Sequence, residues 1–548
     1  MEQRRAKPAV AVGRIALFGF FALVFSVTIA IRLVLLYTYG TDNSLVKDEL
    51  AQAQVQIEAL RPLTKKKRSD ILDRNGILVA TNLLKPSLCA NGHILKDPEK
   101  TALELISILP NLDIEVAFER LSKKRTCTFV QRAITREQQY QINRLGIVGL
   151  DFQEEEWRVY PQSNLSAHAV GFSSPDNIGL AGVEQALDSH LIGTGEPVSL
   201  SLDVRVQNVL REELMRGLKL HDAKFAAGVL IDANTAEVLA MVSLPDFDPN
   251  QPQIAAPDER FNRASHGVYE LGSVMKIFTA AMALESGLVG LEDGFEVGAP
   301  IQVAGTNFTI TDFAPYWGEL NLEGILRRSS NIGAAKVAKV VGQRVQERFL
   351  RDLGVLTPLN FEVPEIGKPA YPATWRDVNT MTIAYGHGIS ISPLQMVSST
   401  AALVNGGVYR QPTLLKRKDD TLDNGKRVMS ETTSKQLRKL MEVVVKEGSG
   451  KRAKPNGYSL GGKTGTAEKS GVGAYSETKQ ITSFIGAFPI DEPKYVLLTM
   501  IDEPKVNLEI SEYATAGIVA APIARHFIER AAPLLNLAPD EPQEPATN

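Results

Sequence analysis

The sequence predicts an α+β protein in three parts: a single N-terminal transmembrane helix, a strand-rich module, and a larger unit whose middle is helical and whose two ends are strands. Three observations lead there. Ile15 to Ile31 is almost wholly apolar and continues through Leu33 to Tyr39. Short strand-like stretches separated by turn signals fill residues 68–202. Strand patterns at 226–232 and 237–243 return only at 481–488 and 495–501, so one sheet has to be assembled from distant segments.

Residues 1–14 form a cytoplasmic tail, because Arg4, Arg5, Lys7 and Arg14 stand before the apolar run and positive charge stays on the cytoplasmic side. Residues 15–39 are long enough to cross a bilayer, which takes roughly 20 apolar residues. Arg32, near the outer end, either snorkels to the interface or touches a partner helix. Residues 40–67 are a juxtamembrane linker. In it Val46, Leu50, Ala53, Ile57 and Leu60 make a short heptad-like stripe, which packs on its own domain or pairs with a partner's helix. The run Lys65-Lys66-Lys67-Arg68 reads as a solvated linker edge. Asn75-Gly76 marks a hairpin turn at the start of the strand-rich module, 68–202. The larger unit, 203–535, opens on a helical stretch from Val204 to Leu220 and closes on a helix ending near Ala532. The last segment, 536–548, is rich in Pro and acidic residues and is expected to be a disordered tail.

Composition excludes several functions. A net charge of -3 over 548 residues does not suggest a nucleic-acid binder. The seven histidines form no metal-ligand cluster, so neither a metal nor a cofactor is expected. No Gly-x-Ser-x-Gly elbow is present to support Ser-His-Asp chemistry. Cys89 and Cys127, the two cysteines, are free to pair outside the cytoplasm or to remain two thiols.

Chemistry concentrates in three motifs that follow one another along the chain: Ser273-Val274-Met275-Lys276, Ser329-Ser330-Asn331 and Lys463-Thr464-Gly465. Together they are the signature of serine acyl-transferases that penicillin attacks. Ser273 opens the apolar stretch from Val274 to Leu284, so serine and lysine three apart share a helix face. A hydroxyl is a poor nucleophile until a neighbouring base takes its proton, and a desolvated lysine has its pKa lowered enough to be that base. Ser273 is therefore the candidate nucleophile and Lys276 its base; alone, the pair also suits a Ser N-cap with a Lys snorkelling to water. Ser329-Ser330-Asn331 sits between two helical stretches and alone would be a cap. Beside Lys276, Ser329 becomes a hydroxyl relay to the leaving amine, and Asn331 holds Lys276 and the substrate amide. The third motif is strand-like. Thr464 and Thr466 project to one face to meet a substrate carboxylate, while Lys463 supplies positive potential and Gly465 permits close packing on the nucleophile's helix. A peptide substrate would add as a strand, with the N–H groups of Ser273 and Thr466 as the oxyanion hole.

A competing pattern overlaps the third motif. Gly457 to Thr464 satisfies the phosphate-loop spacing, and Val496 to Asp502 resembles a strand ending in a magnesium-binding aspartate. A phosphate loop leaves a buried strand and enters a helix. Here polar residues precede it and Gly465, Gly471 and Gly473 follow, which argues against a nucleotide site.

Further segments carry a resemblance: Asp73-Arg74-Asn75-Gly76, Arg158-Val159-Tyr160-Pro161, Gly179 to Glu184, Asp248-Pro249-Asn250, Asn262-Arg263-Ala264, Tyr269-Glu270-Leu271-Gly272 and Ser392-Pro393-Leu394-Gln395. With the three motifs, the chain resembles class B penicillin-binding proteins, most closely the FtsI-type septal branch. The resemblance implies a non-catalytic pedestal over 68–202. It also implies a transpeptidase domain over 203–535 with an antiparallel sheet, flanking helices and an all-helical subdomain. The implied activity is D,D-transpeptidation of peptidoglycan stem peptides, inhibited by beta-lactams that acylate Ser273. Also implied are an inner (cytoplasmic) membrane location with a periplasmic catalytic domain, and dependence on a SEDS-type (FtsW-like) glycosyltransferase and other divisome proteins. An elongation-type transpeptidase or a non-catalytic beta-lactam sensor of the same fold are the alternatives.

Overall fold

Continuous apolar runs build the central sheet because both of its faces are covered. The computed structural model describes residues 27–29, 32 and 68–540, apart from 194, 304–307, 418–424, 471–474 and 509. No helix among these residues is long and apolar enough to cross a membrane. Most of the expected span at 15–39, the heptad-like stripe, Lys65 to Lys67 and residues 541–548 lie outside them.

The pedestal begins with β1 (Ile71–Leu72) and β2 (Leu78–Ala90), joined by the turn foreseen at Asn75-Gly76. Asp73 Oδ1 accepts the N–H groups of Asn75 and Ile77, both at 2.8 Å, and Gly76 takes φ +83°. Three helices follow that strand patterning did not anticipate: α1 (Pro98–Ile108), α2 (Ile114–Ser122) and, after β3 (Thr128–Gln131), α3 (Arg136–Arg144). Their starts are capped by Asp97, Asp113 and the Thr135–Gln138 capping box. Strand β4 (Leu150–Val159) pairs with β2 along its length, and β5 (Val198–Ser199) pairs in parallel with β1. Cys89 on β2 and Cys127 beside β3 form a disulfide with Cα atoms 5.4 Å apart, which decides the question the sequence left open.

The solvated-edge expectation fails at Arg68, which is fully buried. Its guanidinium donates to the Glu184 carboxylate and to Asp188 Oδ1 (2.6 Å), and Arg158 Nε reaches the other Glu184 oxygen at 2.7 Å. A cation this desolvated persists only when paired and hydrogen-bonded.

The catalytic unit opens with α4 (Val204–Leu220), the span the sequence predicts, capped by Asp203, with Val206, Leu210 and Leu214 on one buried stripe. Then come β6 (Phe225–Asp232), β7 (Val238–Leu244), a 3-10 turn at Gly272–Met275 and α5 (Lys276–Ser286). A helical section follows: α6 (Leu322–Arg328), α7 (Asn331–Val341), α8 (Gln343–Asp352), α9 (Asp377–Ile383), α10 (Pro393–Val404) and α11 (Glu431–Glu447). The chain ends with β8 (Gly461–Ser470), β9 (Tyr475–Phe488), β10 (Tyr495–Asp502) and α12 (Ala520–Ala531). The antiparallel sheet has the order β8-β9-β10-β6-β7.

Alternation on β6 and β10 shows the layering. Ala226, Leu230, Leu497 and Ile501 pack with α4 and α12, whereas Ala227, Val229, Val496, Leu498 and Met500 pack with α5 and α10. That second cluster also contains Ile71, Val79 and Val183 of the pedestal and runs through Leu200, Leu202 and Val204. The 202/203 boundary is thus a change of chain path within one core. The expected tail is also partly ordered: Asp540 donates its backbone N–H to Gly457 O at 2.7 Å and accepts that of Ser459.

Candidate active site

Ser273 lies in the 3-10 turn that leads into α5 rather than in the α-helix itself. Residues three apart eclipse one another in this geometry. Lys276 Nζ is accordingly 2.6 Å from Ser273 Oγ. The lysine does not snorkel to water, since it is 1% exposed. Its Nζ also lies 2.7 Å from Asn331 Oδ1, 3.1 Å from Ser329 O and 3.3 Å from Ser329 Oγ. Burial pushes its pKa well below the usual lysine range; the nearby Lys463 charge adds to this and Asp312 opposes it.

Ser329 closes α6 with φ +62°, a left-handed conformation that is uncommon for a side-chain-bearing residue. This aims its hydroxyl between the two lysines: Lys463 Nζ donates to Ser329 Oγ at 3.0 Å. Ser330 performs the capping role that sequence assigned to the whole motif, accepting Gly333 N–H at 2.9 Å. Cap and relay are thus divided between neighbouring serines.

Lys463, Thr464, Gly465 and Thr466 lie on β8 as expected, and β8 is an edge of its sheet. The phosphate-loop pattern therefore runs straight into a strand, and Asp502 is bonded to Lys469 Nζ at 3.0 Å. Lys463 is fully buried, and burial lowers its pKa to about 7. A Cβ on Gly465 would come within 2.2 Å of Leu271 O, so the strand touches the nucleophile's turn only because this residue has no side chain. The two threonines differ. Thr464 is buried with its hydroxyl 2.7 Å from Ser449 Oγ, whereas Thr466 is exposed and accepts Ala516 N–H at 3.1 Å.

Sequence reasoning missed four neighbours. Thr311 O accepts Asn331 Nδ2–H at 2.9 Å, and Asp312 Oδ1 accepts the N–H groups of Asn331 and Ile332. Ser449 touches Thr464, and the Tyr385 ring centroid is 5.9 Å from Lys276 Nζ. All four come from outside the three motifs, so local spacing carried no sign of them.

Residues 226–529 match the family described as the penicillin binding protein transpeptidase domain, and residues 64–215 match the penicillin-binding protein dimerisation domain. The chain is 37% identical over 486 residues to the probable peptidoglycan D,D-transpeptidase FtsI of Caulobacter vibrioides, covering 86% of this chain and 82% of that one. It is 29% identical over 442 residues to the peptidoglycan D,D-transpeptidase FtsI of Escherichia coli, covering 75% and 73%. The fold is that of penicillin binding protein 3 from Mycobacterium tuberculosis, solved with aztreonam: the TM-score is 0.69 at 24% identity, over 88% of this chain and 99% of that one. A serine–lysine pair at the foot of an edge strand, on a scaffold matched from pedestal to last helix, makes this chain a member of the penicillin-binding protein transpeptidases of the FtsI type.

Proposed function

We infer that this protein is a serine D,D-transpeptidase that cross-links peptidoglycan stem peptides during septum synthesis. The observation that carries the chemistry is a buried, pKa-depressed Lys276 amine 2.6 Å from the Ser273 hydroxyl. In this reading Ser273 Oγ attacks the carbonyl of the penultimate D-Ala while Lys276 takes its proton. The N–H groups of Ser273 and Thr466 stabilise the oxyanion. Collapse breaks the D-Ala–D-Ala amide, and the leaving amine takes a proton relayed through Ser329, which lies within reach of both lysines. The amino group of a second stem then attacks the Ser273 ester, forming the cross-link and returning the hydroxyl its proton. Asn331 orients the donor amide. The terminal carboxylate meets Thr464 and Thr466 with the Lys463 charge behind them, and the strand Gly461–Ser470 accepts the donor as an added strand on its open edge.

A beta-lactam presents its strained amide to the same serine and remains as a long-lived ester. The septal assignment rests on the FtsI relatives. With residues 15–39 as membrane anchor and a cytoplasmic N-terminus, the catalytic domain stands in the periplasm beside a SEDS-type, FtsW-like polymerase. Ser273→Ala is expected to abolish covalent labelling by fluorescent penicillin while the protein stays folded; labelling at the normal rate reassigns the nucleophile. A fluorescent fusion gathering along the side wall rather than at midcell would replace the septal role with an elongation one.

A further inference from the structure

We propose that Asp312, outside all three motifs, is a positioning residue that sets the geometry and charge balance of Lys276 by locking Ser330 and Asn331 in place. The inference rests on the Ser273–Lys276 reading of the reaction. The Asp312 carboxylate accepts three hydrogen bonds: the Ser330 hydroxyl at 2.6 Å on one oxygen, and the N–H groups of Asn331 and of Ile332 (3.0 Å) on the other. A helix start leaves its first N–H groups without partners inside the helix. Here the loop carboxylate takes two of them, and its charge suits the positive end of α7.

Thr311, the preceding residue, completes the grip by accepting Asn331 Nδ2–H at 2.9 Å. With backbone and side-chain NH2 both held, the amide oxygen of Asn331 has one way to point, toward Lys276 Nζ at 2.7 Å. Ser329 is the residue just before this clamp, and its hydroxyl must stay within reach of both lysines. The charged groups facing Lys276 are Lys463, which opposes its protonation, and Asp312, which favours it. Asp312 thus controls where the relay atoms sit and supplies a negative charge that favours the protonated form of the base.

The test uses the full-length protein in detergent. The rate of acylation by fluorescent penicillin is measured from pH 5 to 10 and normalised to the sites that titrate at completion. Asp312→Ala loses position and charge, and its rate per site should fall about 10- to 100-fold, the scale set by small misplacements of reacting groups. Asp312→Asn keeps much of the shape and loses the charge. It should recover part of the rate, while the acid limb of its profile moves to lower pH because Lys276 gives up its proton more readily. A rate per site in Asp312→Ala equal to that of the unmodified protein would overturn the proposal. So would an acid limb that stays put in Asp312→Asn, or a loss in Asp312→Ala seen only as fewer titratable sites. If the unmodified protein is not labelled at Ser273, the acyl-enzyme reading falls and takes this proposal with it.

Discussion

Two lysines share one serine hydroxyl, and their different environments divide their roles. Burial, with the Lys463 charge adding to it, holds Lys276 well below the usual lysine range, which suits it to the base role proposed for it. Lys463, depressed to about 7 by burial alone, carries its charge only at neutral pH and below. The rate of acylation per free enzyme by a carboxylate-bearing substrate should therefore decline above about pH 7 as Lys463 loses its proton. Lys463→Arg keeps the charge and should remove that decline, which a pH–rate profile of both proteins reads directly. Stability responds with the opposite sense. An unfolded lysine titrates near its ordinary value of 10.5, so between about 7 and 10.5 the unfolded chain binds a proton that the folded chain has released. Folding then becomes more favourable as pH rises through this window. Urea midpoints at pH 7.5 and 9.5 should rise in the unmodified protein, and rise less in Lys463→Met.

At the scale of elements, catalysis depends on β8 and the nucleophile's turn approaching more closely than side chains allow. Gly465→Ala places a methyl group 2.2 Å from Leu271 O and 3.0 Å from Val274 Cγ1. Overpacking of this kind costs about 1–3 kcal/mol. Strand and turn must part, so acylation should fall by at least about 100-fold, measured against a modest drop in melting temperature. What was legible from sequence follows the same division between local and distant. Val204–Leu220 could be delimited because Asp203 and an apolar stripe lie within the helix's own span, and Ser273 could be paired with Lys276 because three residues separate them. The pedestal helices α1 to α3 are marked locally only by their caps Asp97, Asp113 and Thr135, signals that the strand patterning around them outweighs. Asp312, Ser449 and Tyr385 carry no local mark. Each matters only through a partner brought close by the fold.

Over the whole molecule, the pedestal and catalytic unit share a core, and the pedestal is fastened within itself by a cluster of buried ions. Arg68 reads as the end of a basic run, yet its partner Glu184 lies 116 residues away and was not foreseeable from charge patterning. Glu184→Ala leaves two buried guanidinium groups without their shared carboxylate, a loss of about 3–5 kcal/mol by analogy with other broken buried pairs. Thermal unfolding should show it, while acylation of the molecules that remain folded proceeds normally, since no active-site group touches Glu184. Reducing the Cys89–Cys127 disulfide should act on the remote end of the pedestal. It opens a link across 38 residues and should cost about 2–4 kcal/mol, read as lower protection of the amides around Leu88, Leu105 and Leu121 in hydrogen exchange.

The outer rim of Gly461–Ser470 has a cost apart from chemistry. An uncapped rim of backbone donors and acceptors is a template for any extended chain, including a neighbouring copy of the same protein. A permanent strand on it would block the proposed donor site, and the exposed Glu468 on that strand is placed to act as a gatekeeper against self-association. Glu468→Gln should leave the folded molecule intact yet make concentrated solutions turn cloudy, and a short strand-shaped peptide occupying the rim should clear them.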